Sequence, residues 1–340
     1  MVALYILLGI SILAPIYTYG LYPYILRLFP KRSLRIDSAY CPSVSVLIVK
    51  SDSISLEQKK TNITSSDYNN IVEIEIADSY NSTKNILSQL KGDVIVITNT
   101  SSLFNKETIA KVISPFCENK IGCVSGMSRR TPDTNGNFQD GANWIYENKI
   151  KRLESNLGSL SGSNAAIYAF RKELTPKTFT SGVNMDFFIP TSITERGYDV
   201  VFQPEALAYE IEVQNDSSLF RKHMLDGYSA KKSMSRFWRL LLPRKGSFVF
   251  WSHRVLKWLV PFNLMILLFA SAYLSIDSYL FRIFTMIQLI GYFYVITYHL
   301  IYTKDNKQMK GTIGKLSDFA CYFLTLNLAW FIGLCKLKSN

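Results

Sequence analysis

Hydrophobic and polar positions divide the chain into three stretches. Residues 2–22 are uncharged and mostly apolar, residues 36–245 mix charged and apolar positions, and the chain becomes apolar again from Phe248. An apolar run of about 20 residues is long enough to cross the hydrocarbon core of a bilayer. The pattern therefore predicts an N-terminal membrane anchor (1–26), a soluble domain (36–245) and a C-terminal membrane region (246–340).

The C-terminal region contains three further apolar runs, at 258–276, 283–302 and 319–335. The last run is short, so a re-entrant or interfacial segment is an open alternative to a third span. Gln288 and His299 lie in the second run. Polar groups inside a membrane span are functional candidates, although a histidine near the end of a helix also fits a hydrated position at the interface.

The distribution of basic residues predicts how the chain is oriented in the membrane. The net charge is +12, and basic residues gather beside the apolar runs, which by the positive-inside rule places the soluble domain in the cytoplasm of a multi-pass plasma (inner) membrane protein. The basic residues form no patch interleaved with aromatic residues, so no nucleic-acid partner is expected. The few polar residues within the spans argue against a transporter or channel. The flanking basic residues are Arg27, Lys31, Arg32, Arg35, Arg236, Arg239, Arg244, Lys245, Lys304, Lys307, Lys310 and Lys315.

Short β-branched runs alternate with helical patterns in the soluble domain. The strands are predicted at 43–50, 72–77, 93–97 and 121–125, and the helices at 82–91 and 105–117. Alternation of this kind predicts an α/β fold with a mostly parallel, Rossmann-like sheet and helices on both faces. Ligands of such sheets bind beyond the carboxyl ends of the strands, which points to Asp78 and to the polar turn Asn99-Thr100-Ser101-Ser102.

Three stretches carry a resemblance to a known family. They are YENKIKRLESNLGSLSGSNAAIYAFRKEL (146–174), DFFIPTSITERGYDVVFQPEALAYE (186–210) and FWSHRVLKWLVPF (250–262). Their order and motifs resemble the membrane-bound family 2 glycosyltransferases of bacterial capsule and exopolysaccharide synthesis. The resemblance implies a GT-A fold with one N-terminal and about three C-terminal transmembrane helices. The Q-x-x-R-W motif of processive relatives does not occur, so addition of a single sugar is expected.

The implied reaction is inverting transfer of a sugar from a nucleotide sugar, UDP-linked by expectation, to a lipid-linked or membrane-proximal saccharide acceptor in cell-surface polysaccharide synthesis. On the donor side the resemblance implies contacts from Asp78, Lys84 and Ser51, the last standing where the family has an aromatic residue. Lys84 also fits a solvated position on a helix face. Asn99 and Ser101 occupy the family's metal-binding D-x-D positions.

On the acceptor side the resemblance makes Asp186 the catalytic base that deprotonates the acceptor hydroxyl. The acid that usually precedes it is replaced by Met185, and a helix N-cap is the structural alternative for Asp186. The remaining implied contacts are the sugar and acceptor loop of Gly162, Ser163 and Asn164, and the phosphate-binding Arg221 and Lys222.

The D-x-D acids of the family hold Mg²⁺ or Mn²⁺, and hard cations prefer anionic oxygens. Asn99 and Ser101 offer neutral ones. Three alternatives follow: the diphosphate holds the metal with weak protein help, basic side chains (Lys84, Arg221, Lys222) replace it, or the chain is a catalytically silent partner or scaffold among other polysaccharide-assembly proteins.

Overall fold

The computed structural model describes residues 2–37, 39–50, 55–78, 80–130, 142–180, 182–211, 216–298, 300–301 and 311–336. Its strands are β1 (Val44–Val49), β2 (Ile71–Ala77), β3 (Val94–Asn99), β4 (Ser102–Phe104), β5 (Ile121–Arg130), β6 (Ile167–Arg171) and β7 (Asp199–Glu210). Its helices are α1 (Val2–Ile16), α2 (Tyr22–Leu26), α3 (Leu56–Thr64), α4 (Tyr80–Gln89), α5 (Thr108–Ile113), α6 (Ala142–Ser155), α7 (Met185–Glu195), α8 (Asp216–Arg236), α9 (Ser247–Val249), α10 (Leu256–Leu274), α11 (Tyr279–Tyr298) and α12 (Gly311–Cys335). Two short π-helical turns span Tyr17–Leu21 and Phe250–Val255.

The strands form one mixed sheet with the order β2-β1-β3-β6-β5-β7-β4. β1 is parallel to β2 and β3, and β5 is parallel to β7, whereas β6 is antiparallel to both of its neighbours and β4 is antiparallel to β7. The sheet is therefore mixed, and the prediction of a mostly parallel sheet holds in part: β6 and β4 run opposite to the other five strands. The chain inserts β6 in the opposite direction between β3 and β5, and antiparallel neighbours need no crossover helix.

The sheet is covered on both faces, which explains its unbroken apolar strands. Alternate residues of β3 belong to two different core clusters, because successive side chains of a strand point to opposite faces. One cluster contains Val94 and Val96 with helix residues Ile63, Ile109 and Phe116, and the other contains Ile95 and Ile97 with Leu87, Ile189 and Ile193. The strands predicted at 43–50, 72–77, 93–97 and 121–125 are all present as β1, β2, β3 and β5.

The chain divides into two compact units. One contains the sheet and comprises Pro23–Gln214 and Lys232–His253. The other is helical and comprises Met1–Tyr22, Asn215–Lys231 and Arg254–Asn340.

Within the helical unit, the first part of α8 crosses α12 at two glycines. A β-carbon on Gly333 would overlap the carbonyl oxygen of Met224, and one on Gly227 would lie 2.6 Å from the carbonyl oxygen of Trp330. The two backbones can approach this closely only because both positions lack a side chain.

In the part of the chain that the structure describes, four helical stretches are long and apolar enough to cross a membrane. They are Val2–Leu26, Ser247–Leu274, Tyr279–Tyr298 and Leu316–Cys335. Gln288, one of the two polar candidates, donates its amide Nε2 to Ser271 Oγ at 2.9 Å and so joins α11 to α10. The other candidate, His299, lies outside the described residues.

Candidate functional site

The carboxyl ends of β2, β1 and β3 lie side by side at one edge of the sheet. Val49 of β1 is in register with Ala77 of β2 on one side and with Asn99 of β3 on the other. Asp78 directly follows β2, so it and Asn99 are two strands apart, or about 10 Å across the sheet. The structure thus brings these two predicted donor residues to one edge, where α/β sheets bind their ligands.

The structure gives less support for nucleotide contacts by the other predicted donor residues. Ser51 lies outside the described residues, two positions beyond the end of β1. Lys84 is on α4 with an exposed side chain. The carboxylate of Asp78 is 3.3 Å from the ammonium of Lys50, and both side chains are mostly exposed, so this pair contributes little to stability. Nucleotide contacts by these residues stay predictions.

The turn between β3 and β4 is fixed by hydrogen bonds beneath it. Thr98 Oγ1 donates to the carbonyl of Ala166 at 2.7 Å, and Ser102 Oγ lies 3.2 Å from both of these oxygens. The side-chain oxygen of Asn99, in contrast, is buried without a hydrogen-bond partner among the described residues. A buried acceptor left unpaired is costly, so Asn99 Oδ1 is suited to a ligand or an ion at this turn.

One neutral oxygen does not make a metal site. No group of three or more His, Cys, Asp or Glu side chains that could hold an ion occurs within the described ranges. Asn99 Oδ1 and the Ser101 hydroxyl would supply only uncharged ligands, whereas Mg²⁺ and Mn²⁺ sites are built on carboxylates or phosphate oxygens. The residues of this turn therefore do not fit an ion held mainly by the protein.

A lysine that the sequence analysis did not single out lies behind the turn. Lys59 of α3 is completely buried, and its ammonium donates to the carbonyl oxygen of Ser102 and lies 3.6 Å from the centre of the Phe104 ring. Burial lowers the pKa of this group to about 7. Its spacing from Leu56 and Ile63 places it on the apolar side of α3, which is the one signal in the sequence that could have identified it.

The predicted sugar and acceptor loop is tied to the start of α7. Ser163 donates both its backbone N–H, at 2.8 Å, and its hydroxyl, at 2.7 Å, to the backbone carbonyl of Asp186. Gly162, immediately before, has a φ of 151°, a value that favours glycine. The structure therefore brings the loop together with the predicted catalytic base.

Asn164 of the same loop is held on three sides. Its N–H donates to Ser125 Oγ and its Nδ2 to the carbonyl of Gly126, both at 2.9 Å, and its Oδ1 accepts from the ammonium of Lys151 at 2.9 Å. These bonds engage the whole side-chain amide. Asn164 thus shapes the loop, and Lys151, which the sequence analysis missed, brings a nearly buried cation beside it.

Asp186 lies in the first turn of α7, where the helix dipole stabilises a negative charge. The N-cap of this helix is Asn184, so the alternative of Asp186 as N-cap is wrong. Tyr168 of β6 is buried near it, and its hydroxyl has no hydrogen-bond partner among the described residues. Burial and then the charge of Asp186 raise the pKa of this phenol, which remains a proton donor at neutral pH.

Two of the family-like motifs meet in a buried cluster. Glu154 of α6 is completely buried, with one carboxylate oxygen accepting from the N–H of Ser161 at 2.9 Å and the other 2.7 Å from His253 Nδ1. The second ring nitrogen of His253 is 3.4 Å from the carboxylate of Glu147. This cluster connects the π-helical turn Phe250–Val255 to the chain just before Gly162.

The predicted phosphate contacts lie on α8. Arg221 is exposed, and the side chain of Lys222 is outside what the structure describes. Both belong to the helical unit, and their role stays a prediction. His223, the next residue, lies 3.6 Å from the carboxylate of Asp226 and stacks edge-on against Tyr322 of α12.

No family model matches this chain, and no curated protein matches it. Solved structures are similar to this chain. The mannosyltransferase PcManGT from Pyrobaculum calidifontis, in complex with GDP-Man and Mn²⁺, is similar over 98% of this chain and 100% of its own, with a TM-score of 0.69 and 15% identity. The glucosyl-3-phosphoglycerate synthase from Mycobacterium tuberculosis, with Mn²⁺, UDP-glucose and phosphoglyceric acid, covers 61% of this chain and 84% of its own, with a TM-score of 0.40 and 11% identity.

The mannosyltransferase was solved with GDP-Man and Mn²⁺ bound. At 15% identity the likeness shows the fold and leaves the donor, acceptor and metal of this chain to its own residues. The chain has a mixed α/β sheet and the fold of the GT-A glycosyltransferases.

Proposed function

We propose that the protein is a membrane-bound inverting glycosyltransferase of family 2 that acts in cell-surface polysaccharide synthesis. The donor is a nucleotide sugar, expected to be UDP-linked, and the acceptor is a lipid-linked or membrane-proximal saccharide. The observation that carries the proposal is the pairing of a GT-A fold with a carboxylate, Asp186, tied through its backbone to the loop of Gly162, Ser163 and Asn164.

In the proposed reaction, Asp186 takes the proton of the acceptor hydroxyl while that oxygen forms a bond to the anomeric carbon of the sugar. The bond from this carbon to the diphosphate oxygen breaks, and the nucleoside diphosphate leaves with the electron pair. Attack from the face opposite the leaving group inverts the configuration. The hydroxyl of Tyr168 stays protonated beside Asp186, so it can donate a hydrogen bond to the base or to the acceptor.

The membrane part of the proposal is supported by the four apolar helical stretches and by the basic residues that flank them in the sequence. An acceptor held in or near the bilayer suits a catalytic domain tethered at both ends. We place the sheet unit on the cytoplasmic side, where nucleotide sugars would reach it, by the positive-inside rule.

The test uses the full-length chain in detergent or nanodiscs. Binding of UDP- and GDP-linked sugars is measured by calorimetry, and transfer or hydrolysis by release of the nucleoside diphosphate. Asp186→Asn is expected to bind the donor as the wild type does and to lose about 10²- to 10⁴-fold in turnover. Asp67→Asn changes an exposed aspartate and serves as the control. A protein that binds and turns over no nucleotide sugar in this panel would refute the proposal.

The second candidate, a catalytically silent partner in a polysaccharide-assembly complex, is favoured by the neutral side chains of Asn99, Ser101 and Met185 at positions where the family has acids. It makes the opposite prediction in cells. A deletion strain would be complemented fully by Asp186→Asn if the protein is silent, and not at all if Asp186 is the base.

A further inference from the structure

The turn of residues 99–102, called the donor turn below, differs in charge from the corresponding turn of a metal-dependent site. A turn with two carboxylates repels a diphosphate until a divalent ion neutralises it. The turn Asn99-Thr100-Ser101-Ser102 carries no charge, and the ammonium of Lys59 lies directly behind it. When protonated, Lys59 therefore adds one positive charge behind a turn that has none of its own, and this charge favours a diphosphate without any bound ion.

Lys59 is held behind the donor turn by burial and by hydrogen bonds to Ser102. Its side chain is completely buried, and its ammonium reaches the carbonyl oxygen of Ser102 and, at 3.3 Å, the Ser102 hydroxyl. That hydroxyl in turn lies 3.2 Å from Thr98 Oγ1 at the end of β3. Lys59 makes no ion pair with a carboxylate in the described part of the chain. A buried lysine without a counter-ion is rare, because desolvation opposes its charge.

We propose that Lys59 is a positioning residue that fixes the donor turn and supplies, in place of a protein-held metal ion, the positive charge that binds the nucleoside diphosphate. The inference rests on the proposed function, since it assumes that the donor lies on this turn. It predicts that diphosphate binding does not require Mg²⁺ or Mn²⁺. With a separation on the order of 10 Å and an effective dielectric constant of about 20, one unit charge changes the affinity for a phosphate on the order of tenfold.

The surroundings of Lys59 allow its charge to be switched by pH. Strands β3 and β4 contain no titratable residue, and on its own helix Glu57 and Lys60 are exposed. Glu210 of β7 is opposite Ser102 in the sheet register, and it makes no ion pair with Lys59. Burial alone brings the pKa of Lys59 to about 7, so the cation that attracts the diphosphate is lost in mildly alkaline solution.

The experiment measures calorimetric binding of UDP and of GDP to the full-length protein in EDTA and in Mn²⁺. Wild type, Lys59→Met and Lys60→Met are compared at pH 6 and pH 9. The terminal phosphate of UDP also titrates, at about pH 6, but comparing the affinities of two proteins at the same pH removes that contribution. Lys60 is the exposed neighbour on the same helix and is the matched control. Lys59→Gln is the second variant, in case methionine disturbs folding.

In EDTA we expect the wild type to bind about tenfold more tightly than Lys59→Met at pH 6 and equally tightly at pH 9. Lys60→Met should match the wild type at both pH values. A purely structural lysine would give the same loss at both pH values, and that result overturns the inference. Binding that appears only with Mn²⁺ overturns it too while leaving the proposed function intact, whereas no nucleotide binding under any condition removes both.

Discussion

Replacing Lys59 by methionine removes a cation that the folded protein buries and the unfolded chain exposes. Its pKa is about 7 in the folded protein and 10.5 as an ordinary lysine. Between these values the unfolded chain binds more protons than the folded one, so the free energy of unfolding rises with pH across this window. Integration from pH 6 to pH 9 gives a gain of about 2.7 kcal/mol for the wild type, which Lys59→Met does not share.

Thermal unfolding of the detergent-solubilised, full-length protein measures this difference. Because every other titrating group is common to the two proteins, the difference in midpoint between wild type and Lys59→Met isolates Lys59. For a unit of about 200 residues, 2.7 kcal/mol corresponds to about 5–10 °C. The wild type should gain this much relative to Lys59→Met on going from pH 6 to pH 9, and Lys60→Met should follow the wild type. A midpoint difference that does not change with pH would show that Lys59 is not a buried cation.

Three other changes have defined outcomes. Gly333→Leu should separate α8 from α12 and lower the midpoint of thermal unfolding by several degrees, whereas Gly291→Leu, at a position with open space around it, should leave it within about 1 °C of the wild type. Glu154→Gln breaks a buried ion pair and should destabilise the sheet unit by about 3–5 kcal/mol in the same assay; a loss below 1 kcal/mol would contradict the buried pair. Asn99→Asp adds a carboxylate at the donor turn, so calorimetry should show weaker UDP binding in EDTA and recovery with Mn²⁺; unchanged binding in EDTA would mean that the diphosphate lies elsewhere.

The sequence predicts the parallel half of the sheet and misses much of the rest for a physical reason. β1 and β3 are unbroken runs of β-branched and apolar residues because helices cover both faces. β6 (IYAFR) and β7 (DVVFQPEALAYE) lie in the stretches that carry the family resemblance, and the sequence pattern did not assign them as strands. Direction is also invisible in such a pattern, since a strand has the same composition whichever way it runs. The sequence therefore did not indicate that β6 and β4 run opposite to the other strands.

For the candidate site, the sequence predicts which residues come close to one another, but it does not predict how each side chain is buried and hydrogen-bonded. Asp78 and Asn99 come to one sheet edge, and Asp186 meets the loop at Ser163, as their placement after strands and within family-like motifs indicates. Lys59 has only its position on the apolar side of α3 as a signal, and Tyr168 has none, because a lysine on a helix or a tyrosine on a strand is most often partly solvated. Only the three-dimensional contacts show that Lys59 is a buried cation and that the hydroxyl of Tyr168 has no hydrogen-bond partner among the described residues.

The bond between His253 and Glu154 limits how much of the surrounding apolar stretch is available to span a bilayer. The apolar stretch Ser247–Leu274 has 28 residues and as a helix would be about 42 Å long, well beyond a hydrocarbon core of about 30 Å. His253 is buried in the sheet unit, so we assign the proposed membrane span to the residues that follow it. What remains is α10 with 19 residues, or about 28 Å, which matches the bilayer. In the proposed membrane topology, His253 thus marks the point after which the helix is free to span the bilayer.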